Sequence, residues 1–309
     1  MVSGDSSQLR PQPLNAFCVD LEEWFHICGV PTPYSDPSSW DAAPAHVVSD
    51  TEVLMRLLDE VGAKGTFLTV GWVAEKYPDL IKRLADAGHE IGCHSRFHRL
   101  IYELTPEEFE EDIAYCLNVL REVSGQPVTA FRAPGFSITR ECFWAYDILA
   151  RHGITADVSI VPASRDHGGV EEFTRDPFLL HTDHGDMKMF PVSVMSIAGK
   201  IIPFSGGGYL RLFPRALIRY GYRQNHRAGR PGMSYIHPRE TNSAQPRLKL
   251  PWKKYFKYYV GLNSCEDKLR HILNTFEFTT VANVVAQLGE LPAYRLQGNE
   301  ISRCESDAA

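Results

Sequence analysis

The sequence has little that would suit a membrane-spanning, secreted or nucleic-acid-binding protein. It has no run of 18 or more apolar residues, so we expect no transmembrane segment. Its formal net charge of −6 argues against nucleic acid as a main partner. The first residues have neither the basic nor the apolar segment of a secretory signal. Its 7 cysteines are scattered without a CxxC pair, so we expect reduced thiols and a cytoplasmic location.

Strand-like and helix-like segments alternate regularly through the first half of the chain. Apolar runs predict strands near residues 14–19, 65–70, 89–93, 128–132 and 154–160, and capping patterns predict helices between them. This alternation is typical of a parallel α/β architecture. The polar ends predict a flexible lead over residues 1–13 and a flexible tail over residues 291–309.

Acidic residues and histidines follow two of the predicted strands. Asp20, Glu22 and Glu23 end the first apolar run, and His94 and His98 follow a later one. Two histidines at i and i+4 can aim both imidazoles at one point if the segment forms a helical turn. A carboxylate added to such a pair completes the three protein ligands of a catalytic metal. The sequence therefore predicts a metal site at the carboxyl ends of the strands.

Further motifs follow in a fixed order. They are Arg-Ala-Pro at residues 132–134, Asp-Val-Ser at 157–159, Gly-Gly-Gly-Tyr at 206–209 and Tyr-Ile-His-Pro at 235–238. With the first two motifs, this set resembles the polysaccharide deacetylase (NodB-homology) family over about residues 14–280. The closer likeness is to the subgroup found with exosortase-type exopolysaccharide loci, through residues 20–25, 98–103, 206–209 and 237–240.

The resemblance implies a distorted (β/α) barrel with fewer than eight regular units, and a flavodoxin-like open parallel sheet is the alternative. It implies one catalytic domain over residues 14–290, whose late part, about 200–290, is a family-specific extension. One divalent ion is expected, with Zn favoured over Co, Ni, Mn or Fe.

In this interpretation Asp20 takes a proton from the attacking water, and His237 donates one to the departing amine. Arg132 would pair with Asp20, orient it and keep it ionised. His94 and His98 are metal ligands by the resemblance. Glu22 is favoured as the third ligand because i and i+2 point to the same side of a strand, and Glu23 remains the alternative if the strand bulges.

The predicted reaction is removal of acetyl groups, N-acetyl more than O-acetyl, from sugar units of an exopolysaccharide or its precursor. Trp24, Phe136 and Tyr209 are candidate surfaces for sugar rings. A hydrolase of a small non-peptide amide and a non-catalytic glycan-binding protein are the alternatives.

Residues 252–259 form a basic and aromatic stretch. Such a stretch suits a glycan or an anionic membrane surface, so a peripheral membrane contact is one interpretation. A half-buried strand with a lysine-decorated outer face is the other.

Overall fold

The computed structural model describes residues 13–163, 168–170 and 173–304. The strands are β1 (Asn15–Leu21), β2 (Thr66–Thr69), β3 (Glu90–Cys93), β4 (Ala130–Phe131), β5 (Ala156–Asp157), β6 (Phe178–Thr182), β7 (Gly185–Met189), β8 (Val194–Ile197), β9 (Lys200–Pro203), β10 (Met233–Ile236), β11 (Phe278–Thr279), β12 (Ala293–Gln297) and β13 (Glu300–Arg303). The α-helices are α1 (Val47–Asp59), α2 (Gly71–Lys76), α3 (Pro78–Asp86), α4 (Pro106–Ser124), α5 (Trp144–Arg151), α6 (Gly207–Leu212), α7 (Arg215–Arg227), α8 (Trp252–Tyr259), α9 (Cys265–Leu273) and α10 (Val281–Gln287).

The central sheet is mostly parallel. Its strand order is β10-β1-β2-β3-β4-β5-β7-β6-β12-β13, and β11 pairs with β1. The six strands from β10 to β5 are all parallel to their neighbours, with Cys18 of β1 opposite both Tyr235 and Thr66. Parallel neighbours bring the carboxyl ends of these strands to one edge, which is where the site lies.

Side chains of β1 alternate between two apolar layers, as they do on any strand. Phe17 and Val19 belong to the larger cluster, which includes the helix residues. Ala16 and Cys18 belong to a second cluster, whose members on other strands and segments include Leu68, Ala130, Val158, Val192 and Tyr235. This second cluster is enclosed by strands from both sides, so it is the interior of a barrel-like sheet.

Irregular segments close the barrel between β5 and β10. The Val192 amide donates to the Ile160 carbonyl at 2.8 Å, and the Met233 amide donates to Ser193 Oγ at 2.7 Å. Gly206 forms a parallel bridge with Tyr235. The predicted barrel-like α/β fold is confirmed, because the strands curl around an interior that an open flavodoxin-like sheet would not enclose.

Two sequence expectations about the later chain are wrong. Residues 252–259 form helix α8, so the strand interpretation fails. The tail is not flexible over residues 293–303, because β12 pairs with β6 and Leu296 is buried in the outer core. The predicted lead covers residues 1–13, and all of it except residue 13 lies outside the described residues. The limits of the domain at residues 14–290 and of its extension stay predictions.

Candidate active site

Four predicted site residues lie on the face of their strands that points into the barrel. Each follows an inward-facing residue of its strand by two positions: Asp20 follows Cys18, His94 follows Gly92, Arg132 follows Ala130 and His237 follows Tyr235. Because strand side chains alternate, all four are directed into the same end of the barrel. Gly92 is required there, since a Cβ would lie 2.8 Å from a methyl group of Leu68.

His94 and His98 meet through a loop. Ser95 and His98 both have positive φ, 62° and 54°, so the segment does not form the helical turn through which two histidines at i and i+4 could meet. Ser95 is buried, its carbonyl accepts the Gly71 amide at 2.9 Å, and its hydroxyl accepts the His98 amide at 3.0 Å. These bonds tie the segment to the start of α2 and prevent it from coiling. The imidazole centroids nevertheless lie 5.1 Å apart.

Glu22, His94 and His98 form a candidate metal site. One donor atom from each side chain lies within 4.8 Å of the others. Glu22 Oε2 is 2.6 Å from His98 Nε2, yet it has no hydrogen bond of acceptable geometry among the described residues. Two imidazoles and one carboxylate gathered in one space are a usual set of protein ligands for a catalytic metal. The donor set therefore fits a divalent ion.

The protonation of His94 suits a cation. His94 Nδ1 lies 2.7 Å from the Arg132 carbonyl, which only accepts, so Nδ1 carries the proton and Nε2 the free lone pair. Burial lowers the pKa of His94 to about 4, which keeps the ring neutral.

Burial raises the pKa of Glu22, but the imidazoles of His98 and His237 outweigh this effect and hold it below its ordinary range. Burial lowers the pKa of His98, but Cys28 and the Glu22 carboxylate outweigh this effect and raise it, so an ion that binds His98 has to displace a proton.

Glu23 has a different role from Glu22. Its carboxylate accepts the backbone amides of His46 and Val47, at 2.9 and 3.0 Å, where α1 begins. A carboxylate at this position caps the helix and complements its dipole. The structure thus places Glu22, and not Glu23, beside the two histidines.

Trp24 does not form a surface for sugar rings, and that prediction is wrong. Only 3% of it is exposed, and its indole N–H donates to the Pro44 carbonyl at 2.8 Å. The chain turns inward after β1, so Trp24 packs against Phe25 and Tyr34 in an aromatic cluster. Nothing in the local pattern of the sequence separates this buried ring from an exposed one.

His237 lies close to both Asp20 and the carboxylate of the trio. Asp20 Oδ1 accepts from Arg132 Nη1 in an ion pair that is entirely buried. His237 Nε2 is 3.7 Å from Asp20 Oδ2 and also 3.7 Å from Glu22 Oε1. Arg132 is held in turn by the Val158 carbonyl, which accepts from Nε at 3.1 Å. A base and an acid therefore face one small space.

Sequence reasoning missed the support behind His237. His237 Nδ1 is 2.8 Å from Oε1 of the fully buried Glu240, and Glu240 Oε2 is 3.4 Å from Arg211 Nε. Arg211 donates to three carbonyls around the end of α8, those of Lys257, Tyr258 and Val260. The available signal was Glu240 itself, an acid three residues after the histidine.

Asp157 belongs to the frame of the site. Its carboxylate accepts the hydroxyl of Ser159 at 2.6 Å and the amide of Ser159 at 2.9 Å. Ser159 Oγ accepts the Ala133 amide at 2.8 Å, which fixes the backbone next to Arg132. Burial raises the pKa of Asp157 to about 7.

The site opens into a cleft with an empty volume of about 890 Å³. Half-buried Tyr209 lines it, and so do Lys254, Lys257 and Tyr258. Phe136 borders it too, but only 4% of Phe136 is exposed and its ring packs against Tyr235. That these two rings bind sugars stays a prediction. The glycine run before Tyr209 serves close backbone packing, because a Cβ on Gly206 would lie 2.3 Å from the Tyr235 ring. The cleft is an open feature in which an extended ligand can cross the reactive groups.

Comparison with known proteins shows which sequences and folds this chain resembles. Residues 38–156 match the sequence model of the polysaccharide deacetylase family, and residues 158–286 match one described as a domain of unknown function (DUF3473). Peptidoglycan-N-acetylglucosamine deacetylase of Bacillus cereus is 28% identical over 123 residues, 35% of this chain and 45% of that protein. Peptidoglycan deacetylase of Helicobacter pylori is 25% identical over 111 residues, 35% of this chain and 36% of that protein.

The matched region thus spans less than half the length of these curated relatives. Among solved structures, a Mycobacterium smegmatis protein assigned as a polysaccharide deacetylase has the same fold. Its TM-score is 0.54 at 18% identity, over 92% of this chain and 97% of that one. The sequence matches show that residues 38–156 resemble the polysaccharide deacetylase family, and the structural match shows a similar fold.

Proposed function

We propose that this chain is a metal-dependent hydrolase that removes acetyl groups from amino sugar units of a glycan. The observation that carries the proposal is the arrangement of Asp20 and His237 around the buried trio of Glu22, His94 and His98. Water attack on an acetyl group would also cleave an O-acetyl ester. We favour the amide, because an amine is the poorer leaving group and has the greater need of a positioned acid.

Each protein group has a distinct task. Asp20 Oδ2 faces the shared space and accepts the proton of the attacking water, while Oδ1 is held by Arg132. His237 donates a proton from Nε2 to the leaving nitrogen. Its Nδ1–H donates to Glu240, whose carboxylate stabilises the protonated imidazole and fixes the ring.

Glu22, His94 and His98 would hold the ion, with Zn the favoured metal because two imidazoles and one carboxylate form a usual zinc set. When bound, a divalent cation supplies Lewis acidity at the acetyl carbonyl and lowers the pKa of water. Co, Ni, Mn and Fe share the preference for imidazole.

The open cleft and the curated relatives support a glycan substrate. Tyr209 offers a half-buried aromatic side chain in the cleft, and both named relatives are deacetylases of peptidoglycan. Within this class we propose an exopolysaccharide or its precursor, from the likeness of the motifs at residues 20–25 and 237–240. A non-catalytic glycan-binding protein would have no need of the buried ion pair and the supported imidazole.

The test is acetate release from N-acetylhexosamine oligomers of increasing length, with allantoin as the small-amide control. We expect kcat/KM to rise with chain length and allantoin to stay intact. Tyr209→Ala should raise KM for long oligomers more than for the monosaccharide, because it removes a ring contact outside the reactive space. Equal effects on both, or a preference for the monosaccharide, would contradict a polymeric substrate.

A further inference from the structure

Helix α8 carries an unusually exposed aromatic surface. Trp252 is 74% exposed and Phe256 is 52% exposed, the two highest values among the large apolar side chains of the described chain. They are four residues apart, so they lie on the same face of the helix. Tyr255 beside them is 38% exposed, and only Tyr259 of this helix is buried. Such side chains are costly to leave in water, which points to a binding surface.

The surroundings of this face are positively charged in a chain that is acidic overall. Residues 241–265 contain no aspartate or glutamate and include Arg247, Lys249, Lys253, Lys254 and Lys257, whereas the whole chain has a net charge of −6. Arg247, Lys249 and Lys253 are exposed. Lys253 Nζ lies 5.8 Å from the centre of the Trp252 ring, so cation and aromatic side chains occupy one surface.

The opposite side of α8 borders the cleft. Lys254, Lys257 and Tyr258 line it, and the carbonyls of Lys257, Tyr258 and Val260 accept from Arg211. Helix α8 is therefore anchored to the site by one side while Trp252 and Phe256 point away from it. A partner that bound the outer face of α8 would therefore lie next to the mouth of the cleft.

We propose that Trp252, Phe256 and the adjacent cations form a docking surface for an anionic lipid bilayer. Aromatic rings favour the headgroup region, and lysines gain from the negative surface potential of anionic lipids. A neutral glycan would use the rings but would gain nothing from a run of cations free of acidic residues. The proposal does not depend on the deacetylase activity, because docking can be measured without turnover.

The direct test is co-sedimentation of the purified chain with vesicles of phosphatidylglycerol and phosphatidylcholine, compared with phosphatidylcholine alone. We expect binding only to the anionic vesicles, and we expect it to weaken with added salt. Trp252→Ala/Phe256→Ala should weaken binding by about tenfold or more, because it removes the inserted rings. Tyr115→Ala/Tyr220→Ala, which changes aromatic residues 42% and 44% exposed on α4 and α7, should leave binding unchanged.

The contribution of the lysines to vesicle binding is tested by a matched pair of double variants. Lys249→Gln/Lys253→Gln should weaken binding by about 25-fold, since each cation near an anionic surface contributes roughly fivefold. Lys82→Gln/Lys200→Gln, which removes two exposed lysines elsewhere, should not. All of these side chains are exposed, so each variant should fold, and its melting temperature will confirm that.

The fluorescence emission of Trp252 can also report docking. Trp24, Trp40 and Trp72 are buried and Trp144 is half-buried, so a blue shift on vesicle addition that is lost in Trp252→Phe would locate α8 in the headgroup region. Absence of binding at low salt, or equal loss in the Tyr115/Tyr220 control, would overturn the proposal. An emission shift with hyaluronan and none with vesicles would also overturn it, in favour of a glycan surface.

Discussion

The two halves of the molecule build the site in different ways. The first half, through β5, supplies Asp20 and Glu22 at the end of β1, His94 after β3 and Arg132 after β4. The second half supplies His237 from β10 and then holds it with Glu240 and Arg211 from separate segments. The alternation of side chains along a strand directs the base into the site. The proton donor is instead held by hydrogen bonds and an ion pair between separate segments. The four predictions below test this division.

The largest effect is expected at the histidine pair. His94→Ala/His98→Ala should lose the bound ion and reduce acetate release to background, because two of three ligands are gone. Metal content by mass spectrometry and activity are measured together. His181→Ala/His184→Ala provides the control, since that pair is bonded to Asp186 and Asp147 at the surface. Full occupancy in the first double variant would refute the metal site.

Asp20→Asn should lower kcat by about 100-fold or more while the ion stays bound, because the change removes a positioned base and no proposed ligand. Metal content and kcat on an N-acetylhexosamine oligomer are the two readouts. A variant with near-normal turnover would show that another group accepts the proton of the water.

Glu240→Gln tests how the second half of the molecule holds His237. It should lower kcat on an N-acetyl substrate by about tenfold, since a charge-assisted hydrogen bond to His237 becomes a neutral one. Hydrolysis of 4-nitrophenyl acetate should change little, because nitrophenolate leaves without a proton. Metal content and KM should also stay unchanged. Equal losses on both substrates would mean that Glu240 supports the fold and has no special effect on the acid.

The smallest effect is expected at Glu23. Glu23→Ala should lower the free energy of unfolding by about 1–2 kcal/mol, because the first amides of α1 lose their acceptor. The ion should remain bound. Glu22→Ala should do the reverse, losing the ion with less change in stability. Urea denaturation and metal content decide between them, and loss of metal in Glu23→Ala would reopen the choice of ligand.

Much of the fold was accessible from sequence because it depends on local patterns. Alternating strand and helix signals predicted a parallel α/β architecture, and the family resemblance implied the barrel. The acidic and histidine motifs at strand ends predicted which side chains meet. Local patterns failed where distant contacts decide conformation. The bonds to Ser95 make residues 94–98 a loop, and the pairing of β12 with β6 turns an expected flexible tail into sheet.

The sequence by itself determined that Asp20, His94, Arg132 and His237 point into the barrel, because side chains along a strand alternate between only two faces. The tertiary structure alone decided which neighbouring acid joins the histidines. Glu22 and Glu23 are adjacent and chemically alike, and they differ only because one faces the imidazoles and the other the start of α1. It also decided the burial of Trp24 and the exposure of Trp252, since burial depends on what the rest of the chain packs against each ring.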